Sequence, residues 1–254
     1  MLPTLTFAVN NVRTVSETKR AFYTIHTRPI NSIYRRVVEE LMVEMHLLAV
    51  NADFRYDPIY ALGVVTAFNG FMQGYRPEAD ISSIFEGLCK ALQEDPNRYR
   101  QEAERLSAIA NRLSGQELVS WLEQSLPISD AGDLQETVRA IAHNPQFKYS
   151  RLFAIGVYTL LELTNQELVK EESQRSEWLK KVCAALNLPE EKFQKDLELY
   201  RSNLEKMAQA RIVMEDALQA ERKKREDREK AKAAAASTPP ADAPDSKGET
   251  ASGT

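Results

Sequence analysis

Helix-start signals recur along this chain so regularly that they leave little room for other secondary structure. Thr14-Val-Ser-Glu17 has the form of a capping box: the threonine hydroxyl accepts from an early backbone N–H, and the glutamate reaches back to the cap. The helix it opens sets Val15, Phe22 and Ile25 on one side. Arg28-Pro29 closes that helix and is predicted to open the next, because proline lacks only an N–H that a first turn leaves unpaired anyway. Asp57-Pro58, Asp95-Pro96 and Asn144-Pro145 read as cap plus first turn in the same way. Ser129 or Asp130 is placed to cap a shorter helix ending near His143, while Gly74 and Gly115 fall where helices should stop. Alternation over four or more residues is hard to find, and nine glycines are few for 254 residues. The expected fold is all-α.

The segment from Pro29 to about Ala52 is expected to form one helix. On a wheel at about 100° per residue, Ile30, Ile33, Val37, Leu41, Met45 and Leu48 make a stripe, widened by Tyr34, Val38 and Met42. Val43, Leu47 and Val50 add apolar surface on the opposite side. A helix apolar on two sides is expected at the centre of a core. Glu39 and His46 point away from the stripe, Glu40 faces Arg36 one turn earlier, and Glu44 sits at the border, suited to an arginine or tyrosine from elsewhere.

Beyond Leu188-Pro189 the pattern changes. Phe193, Leu197, Tyr200, Leu204, Met207, Arg211, Met214 and Leu218 follow one another at alternating four- and three-residue steps. That is a heptad seam with one arginine in it, about four heptads long. A helix from Pro189 to Lys232 would run about 65 Å, more than a domain of this size covers, so part of it should project or pair. Arg222 to Lys232 holds seven basic and three acidic residues. Such a run is usually a solvated helix end; the other reading is a contact of Arg222, Lys223, Lys224 and Arg225 with anionic lipid or an acidic partner. The last residues are rich in Ala, Pro and Ser without a large apolar side chain, and are expected to be disordered. The organisation is therefore an N-terminal extension over 1–13, a multi-helix globular domain over 14–188, a long charged helix over 189–232 with heptad character, and a tail over 233–254.

Chemistry is sparse. No metal is expected, because the residues three before His26, His46 and His143 are Tyr23, Val43 and Ala140 rather than the glutamates a di-iron bundle requires. No nucleophile elbow, zinc-protease motif or glycine-rich phosphate loop occurs, so no catalytic residue and no cofactor are expected. Cys89 and Cys183 lie in amphipathic segments without metal spacing and read as reduced core residues. The net charge of −4 argues against nucleic acid as a partner. No stretch approaches the ~18 apolar residues of a membrane span, and no signal or transit pattern opens the chain, which suggests a cytoplasmic, bacterial-type compartment. The richest arginine–tyrosine cluster is Arg28, Tyr34, Arg35, Arg36, Tyr56, Tyr60, Tyr75 and Arg76. Such residues suit a partner hot spot and a buried helix end equally well.

Over RTVSETKRAFYTIHTRPINSIYRRVVEELMVEMHLLAVNADFRYDPIYALGVVTAFNGFMQGYRPEAD, and again over FKYSRLFAIGVYTLLEL, the chain resembles the thylakoid formation family, the photosystem II biogenesis protein of cyanobacteria and chloroplasts. One departure is Asn69, where the family pattern has an acidic residue. The resemblance implies a non-enzymatic auxiliary factor that is peripheral to the thylakoid membrane and acts with FtsH-type membrane proteases in photosystem II biogenesis and repair. The lack of a transit segment points to a cyanobacterial member. Arg28, Asn31, Arg35, Tyr56, Asp57, Tyr75 and Arg76 match the family motif and are the candidate partner contacts. The alternative is a membrane-surface scaffold that dimerises through the C-terminal helix and contacts anionic lipid.

Overall fold

The computed structural model describes residues 13–128, 131–165 and 171–236. Among them lie ten helices and no strand: α1 Val15–Ile25, α2 Ser32–Ala49, α3 Pro58–Phe71, α4 Ala79–Ala91, α5 Pro96–Ala110, α6 Gly115–Leu122, α7 Gly132–Ala142, α8 Arg151–Thr164, α9 Glu172–Ala185 and α10 Glu190–Ala236. The chain divides into two units, Met1–Ala208 and Gln209–Thr254.

The first unit is built around the crossing of α3 and α8, its most extensive helix pair. Every residue of α8 from Leu152 to Leu161 is buried. Two glycines let the helices meet backbone to backbone: a Cβ on Gly63 would stand 1.7 Å from the Leu152 carbonyl oxygen, and one on Gly156 would stand 1.9 Å from that of Ile59. α5 packs on both members of this pair, α1 lies against α4 and α2, and α9 lies against α6. The early part of α10 belongs to the same core. Phe193, Leu197 and Tyr200 are buried, Tyr200 meets Phe71 edge-on at 5.7 Å, and the Tyr149 hydroxyl donates to Asp196 at 2.9 Å. From Gln209 onward α10 belongs to the second unit, where Ile212 and Val213 are exposed.

Most of the punctuation performs as its chemistry requires. Thr14 and Glu17 form the capping box of α1, and Asp57 and Asp95 cap α3 and α5 with proline in the first turn. Gly74 supplies a positive φ of 74° after α3. Four expectations are corrected. α2 begins at Ser32 rather than Pro29, because the Asn31 side chain accepts from the Ile33 N–H at 3.2 Å while Arg28 is committed to Asp80; it ends at Ala49 rather than Ala52. Asn144-Pro145 opens a turn, with Asn144 Oδ1 accepting from Gln146 at 2.9 Å, and α8 starts later under a Ser150 cap. Gly115 begins a helix instead of ending one, because Ser114 and Glu117 form a second capping box. α10 continues through Ala236, past Lys232, since alanine is the strongest helix former. The proposed caps Ser129 and Asp130, residues 1–12 of the 1–13 extension and residues 237–254 of the 233–254 tail lie outside the described residues.

Candidate partner-binding surfaces

Helix α2 carries Arg35 among the candidate contacts and Asn31 as its cap, and its two apolar sides have different fates. Tyr34, Val38, Leu41, Met42, Met45 and Leu48 are buried against the body. The opposite side is open: Leu47 is 57% and Val50 40% exposed. The central burial expected for this helix therefore falls to α3 and α8 instead. His46, expected to face away, is buried and exchanges a 3.0 Å hydrogen bond between Nδ1 and the Thr18 hydroxyl of α1; burial lowers its pKa. Glu44 finds its arginine in Arg151. Burial pushes the Glu44 carboxyl up, and the guanidinium holds that rise in check. Glu40 pairs with Arg36 at 3.0 Å.

The candidate contacts separate into interior and surface groups. Tyr75 is buried and meets Tyr34 edge-on at 5.0 Å, so neither ring is available to a partner. Asp57 is buried too, its carboxylate accepting from the Tyr60 N–H at 2.8 Å. Burial raises its pKa to about 7 against the opposing pull of the Tyr60 and Ile59 N–H groups. These two positions are corrections: what looks like a polar hot spot is a helix cap and a core ring. Tyr56 is half-buried, with the Arg98 guanidinium 3.7 Å above its ring. Arg28, Asn31, Arg35 and Arg76 are exposed. Arg28 covers the buried Asp80 and Arg76 pairs with Glu78.

Sequence reasoning missed the partners of these groups. Asp80, Arg98 and Arg151 carry no local pattern that announces a long-range contact. The heptad seam is a single pattern with two destinations. Phe193, Leu197 and Tyr200 are buried, Leu204, Met207, Arg211 and Met214 are half-buried, and Leu218 is 49% exposed. Arg222, Lys223, Lys224 and Arg225 are all exposed. Cys89 and Cys183 are buried free thiols, and burial pushes both up to about 12.

Among the described residues no group of three or more histidine, cysteine or carboxylate side chains is placed to hold a metal, and no helix is long and apolar enough to cross a membrane. The fold defines a class: an all-helical protein, with no strand among the described residues. A family model described as thylakoid formation protein matches residues 14–229, and the chain belongs to that family. Protein Thf1 of Nostoc punctiforme is 61% identical over 231 residues, covering 91% of this chain and 98% of the relative. Protein Thf1 of Trichormus variabilis is 63% identical over 218 residues, covering 86% and 94%. A solved structure of Psb29 superposes with a TM-score of 0.71 at 45% identity, over 84% of this chain and 98% of that one.

Proposed function

We propose that this chain is a non-enzymatic auxiliary factor in photosystem II biogenesis and repair. In this reading it sits on the cytoplasmic face of the thylakoid membrane, and binds and stabilises or modulates an FtsH-type membrane protease. The observation that carries the reading is membership of the thylakoid formation family across residues 14–229. The absence of a spanning helix among the described residues fits peripheral association. Exposed Arg28, Asn31, Arg35 and Arg76, with half-exposed Tyr56, are the contacts retained for that partner. Affinity purification of the tagged full chain from solubilised thylakoid membranes tests it. The protease should be recovered with the tagged chain and not with an untagged control, and its consistent absence refutes the reading.

One observation favours the rival, a lipid-bound scaffold: the four consecutive cations Arg222 to Arg225 are exposed. Flotation with anionic liposomes separates the two. Lipid anchoring requires that neutralising those four residues abolish flotation, whereas the adaptor reading leaves protease recovery intact in the same variant.

A further inference from the structure

The side of α2 that the body leaves uncovered has a composition of its own. Arg35, Glu39, Val43, Leu47 and Val50 follow at three- or four-residue steps and form a ridge that turns about 40° around the helix with each four-residue step, Val43, Leu47 and Val50 lying in one column at its end. Val43 is half-buried, and Leu47 and Val50 are exposed. Single exposed apolar residues are ordinary. Three in a column, on a helix whose other side is already packed, make the kind of ridge another helix packs against.

The charges beside that ridge are unequally matched. An open groove of about 810 Å³ runs along it, with Lys19 of α1 and Arg151 of α8 on its walls. Three carboxylates line the groove, and each is satisfied within the protein. Glu39 accepts from Lys19 Nζ at 2.8 Å and the Tyr23 hydroxyl at 2.6 Å, Glu40 from Arg36, and Glu44 from Arg151. Of the four cations only Arg35 has no carboxylate at ion-pair distance among the described residues. The surplus positive charge thus stands at one end of the ridge, and the apolar surface begins two turns further on. From Arg35 to Leu47 is about 18 Å at 1.5 Å per residue.

We infer that this ridge is a docking face for an amphipathic helix of a partner protein. That helix sets apolar side chains at i, i+4 and i+7 over Val43, Leu47 and Val50, and a carboxylate about three turns away on Arg35. A second copy of this chain fits poorly. An antiparallel two-fold pairing sets Arg35 against the other copy's apolar end, and a parallel one sets Arg35 against Arg35; neither matches charge to charge. An anionic lipid surface fits poorly as well, because three carboxylates share the groove. The inference deepens the adaptor reading and rests on it for the partner being a protein.

The test is fluorescence anisotropy with the purified full chain and a labelled alanine-based helical peptide of about 20 residues. The peptide carries leucines at i, i+4 and i+7 and a glutamate about twelve residues from the central leucine, the separation of Arg35 from Leu47. Leu47→Asp should weaken binding at least about tenfold, the loss of one anchor residue at an interface. Arg35→Glu should weaken it comparably, and a peptide with lysine in place of its glutamate should bind Arg35→Glu better than the unaltered chain. Both side chains are exposed, so circular dichroism should show the fold unchanged. Equal affinities across the four protein–peptide combinations, or no saturable binding, overturn the inference. So does concentration-dependent self-association that Leu47→Asp abolishes, which would give the face to a second copy. The adaptor reading is judged separately: a protease recovered equally with all variants leaves that reading standing while the face falls, and a protease never recovered with the unaltered chain sinks the reading whatever the peptides do.

Discussion

The crossing of α3 and α8 makes Gly156→Ala an informative substitution. The new Cβ would stand 1.9 Å from the Ile59 carbonyl oxygen and 2.9 Å from its carbon, whereas a relaxed carbon–oxygen contact needs about 3.3 Å. The obstacle is backbone held in its own helix, so it cannot swing aside; the helices must part by roughly 1.4 Å, the difference between those contacts. A gap of about 0.5–1 Å already forfeits a quarter to a half of a dispersion well. The loss falls on Ile59, Leu62, Leu152 and Ile155, each at most 2% exposed. Overpacking costs about 1–3 kcal/mol, and a backbone obstacle belongs at the upper end, ~3 kcal/mol. Alanine returns about 1 kcal/mol of helix propensity, leaving a net loss of ~2 kcal/mol. At ~2–4 °C per kcal/mol for a chain of this size, the melting temperature should fall by roughly 4–8 °C.

Urea unfolding checks this, with a lower midpoint at an unchanged slope as the expected result. Gly132→Ala is the internal control, since a Cβ there meets nothing within 4 Å. Propensity alone acts at that position, so the change should be neutral or stabilising, by at most ~1 kcal/mol. Gly156→Ala as stable as the native chain, or the two substitutions behaving alike, would refute the backbone-contact argument.

Truncation after Ala208 should leave the thermal transition of the first unit nearly unchanged, whereas truncation after Leu188 should abolish it in calorimetry. The shorter chain loses buried Phe193, Leu197 and Tyr200, at about 1.5–3 kcal/mol each, a sum comparable with the whole stability of a domain. Arg151→Leu leaves Glu44 without its cation. Breaking a fully buried pair costs about 3–5 kcal/mol, and with these side chains 30% and 19% exposed about 2 kcal/mol is expected. Because the folded Glu44 pKa is raised, its destabilisation grows as pH rises through that folded value. Urea titrations of native and variant protein should therefore diverge at pH 8 and converge in acid. Asp57→Asn keeps the α3 cap, since asparagine caps as well as aspartate, but removes a carboxyl whose pKa rises from 3.8 to about 7 on folding. Native stability contributed by the bound proton is present below the unfolded value and lost as pH rises towards 7. Asp57→Asn should then gain on the native chain across that window, by up to roughly 4 kcal/mol at 1.36 kcal/mol per unit; a constant gap from pH 4 to 8 would contradict this.

What could be read in the sequence was whatever a few adjacent residues decide among themselves. Thr14–Glu17, Asp57-Pro58 and Asp95-Pro96 place their caps because donor and acceptor lie within one turn. Asn144-Pro145 shows the limit of that logic, for the same side-chain acceptor serves a turn as readily as a helix. The heptad steps of α10 announce a seam but not its occupant. Phe193 to Tyr200 find theirs in the body of the first unit, through contacts with Tyr149 and Phe71 that are remote in sequence.

The misplacement of α2 has a geometric cause that also bears on function. Counting apolar faces ranks α2 as the central helix, but position in a core depends on how near a partner can come. α3 and α8 touch through Gly63 and Gly156, a closeness that Tyr34, Met42 and Met45 deny to α2. The central place is therefore taken by the pair with the small residues, and α2 is left packed on one side. Its second apolar side is then surplus to the fold, and beside it stands Arg35, which has no carboxylate at ion-pair distance among the described residues. Surface that folding does not use is where binding can act without loss of stability, so the residues that misled the reading of the core are the ones to test for a partner.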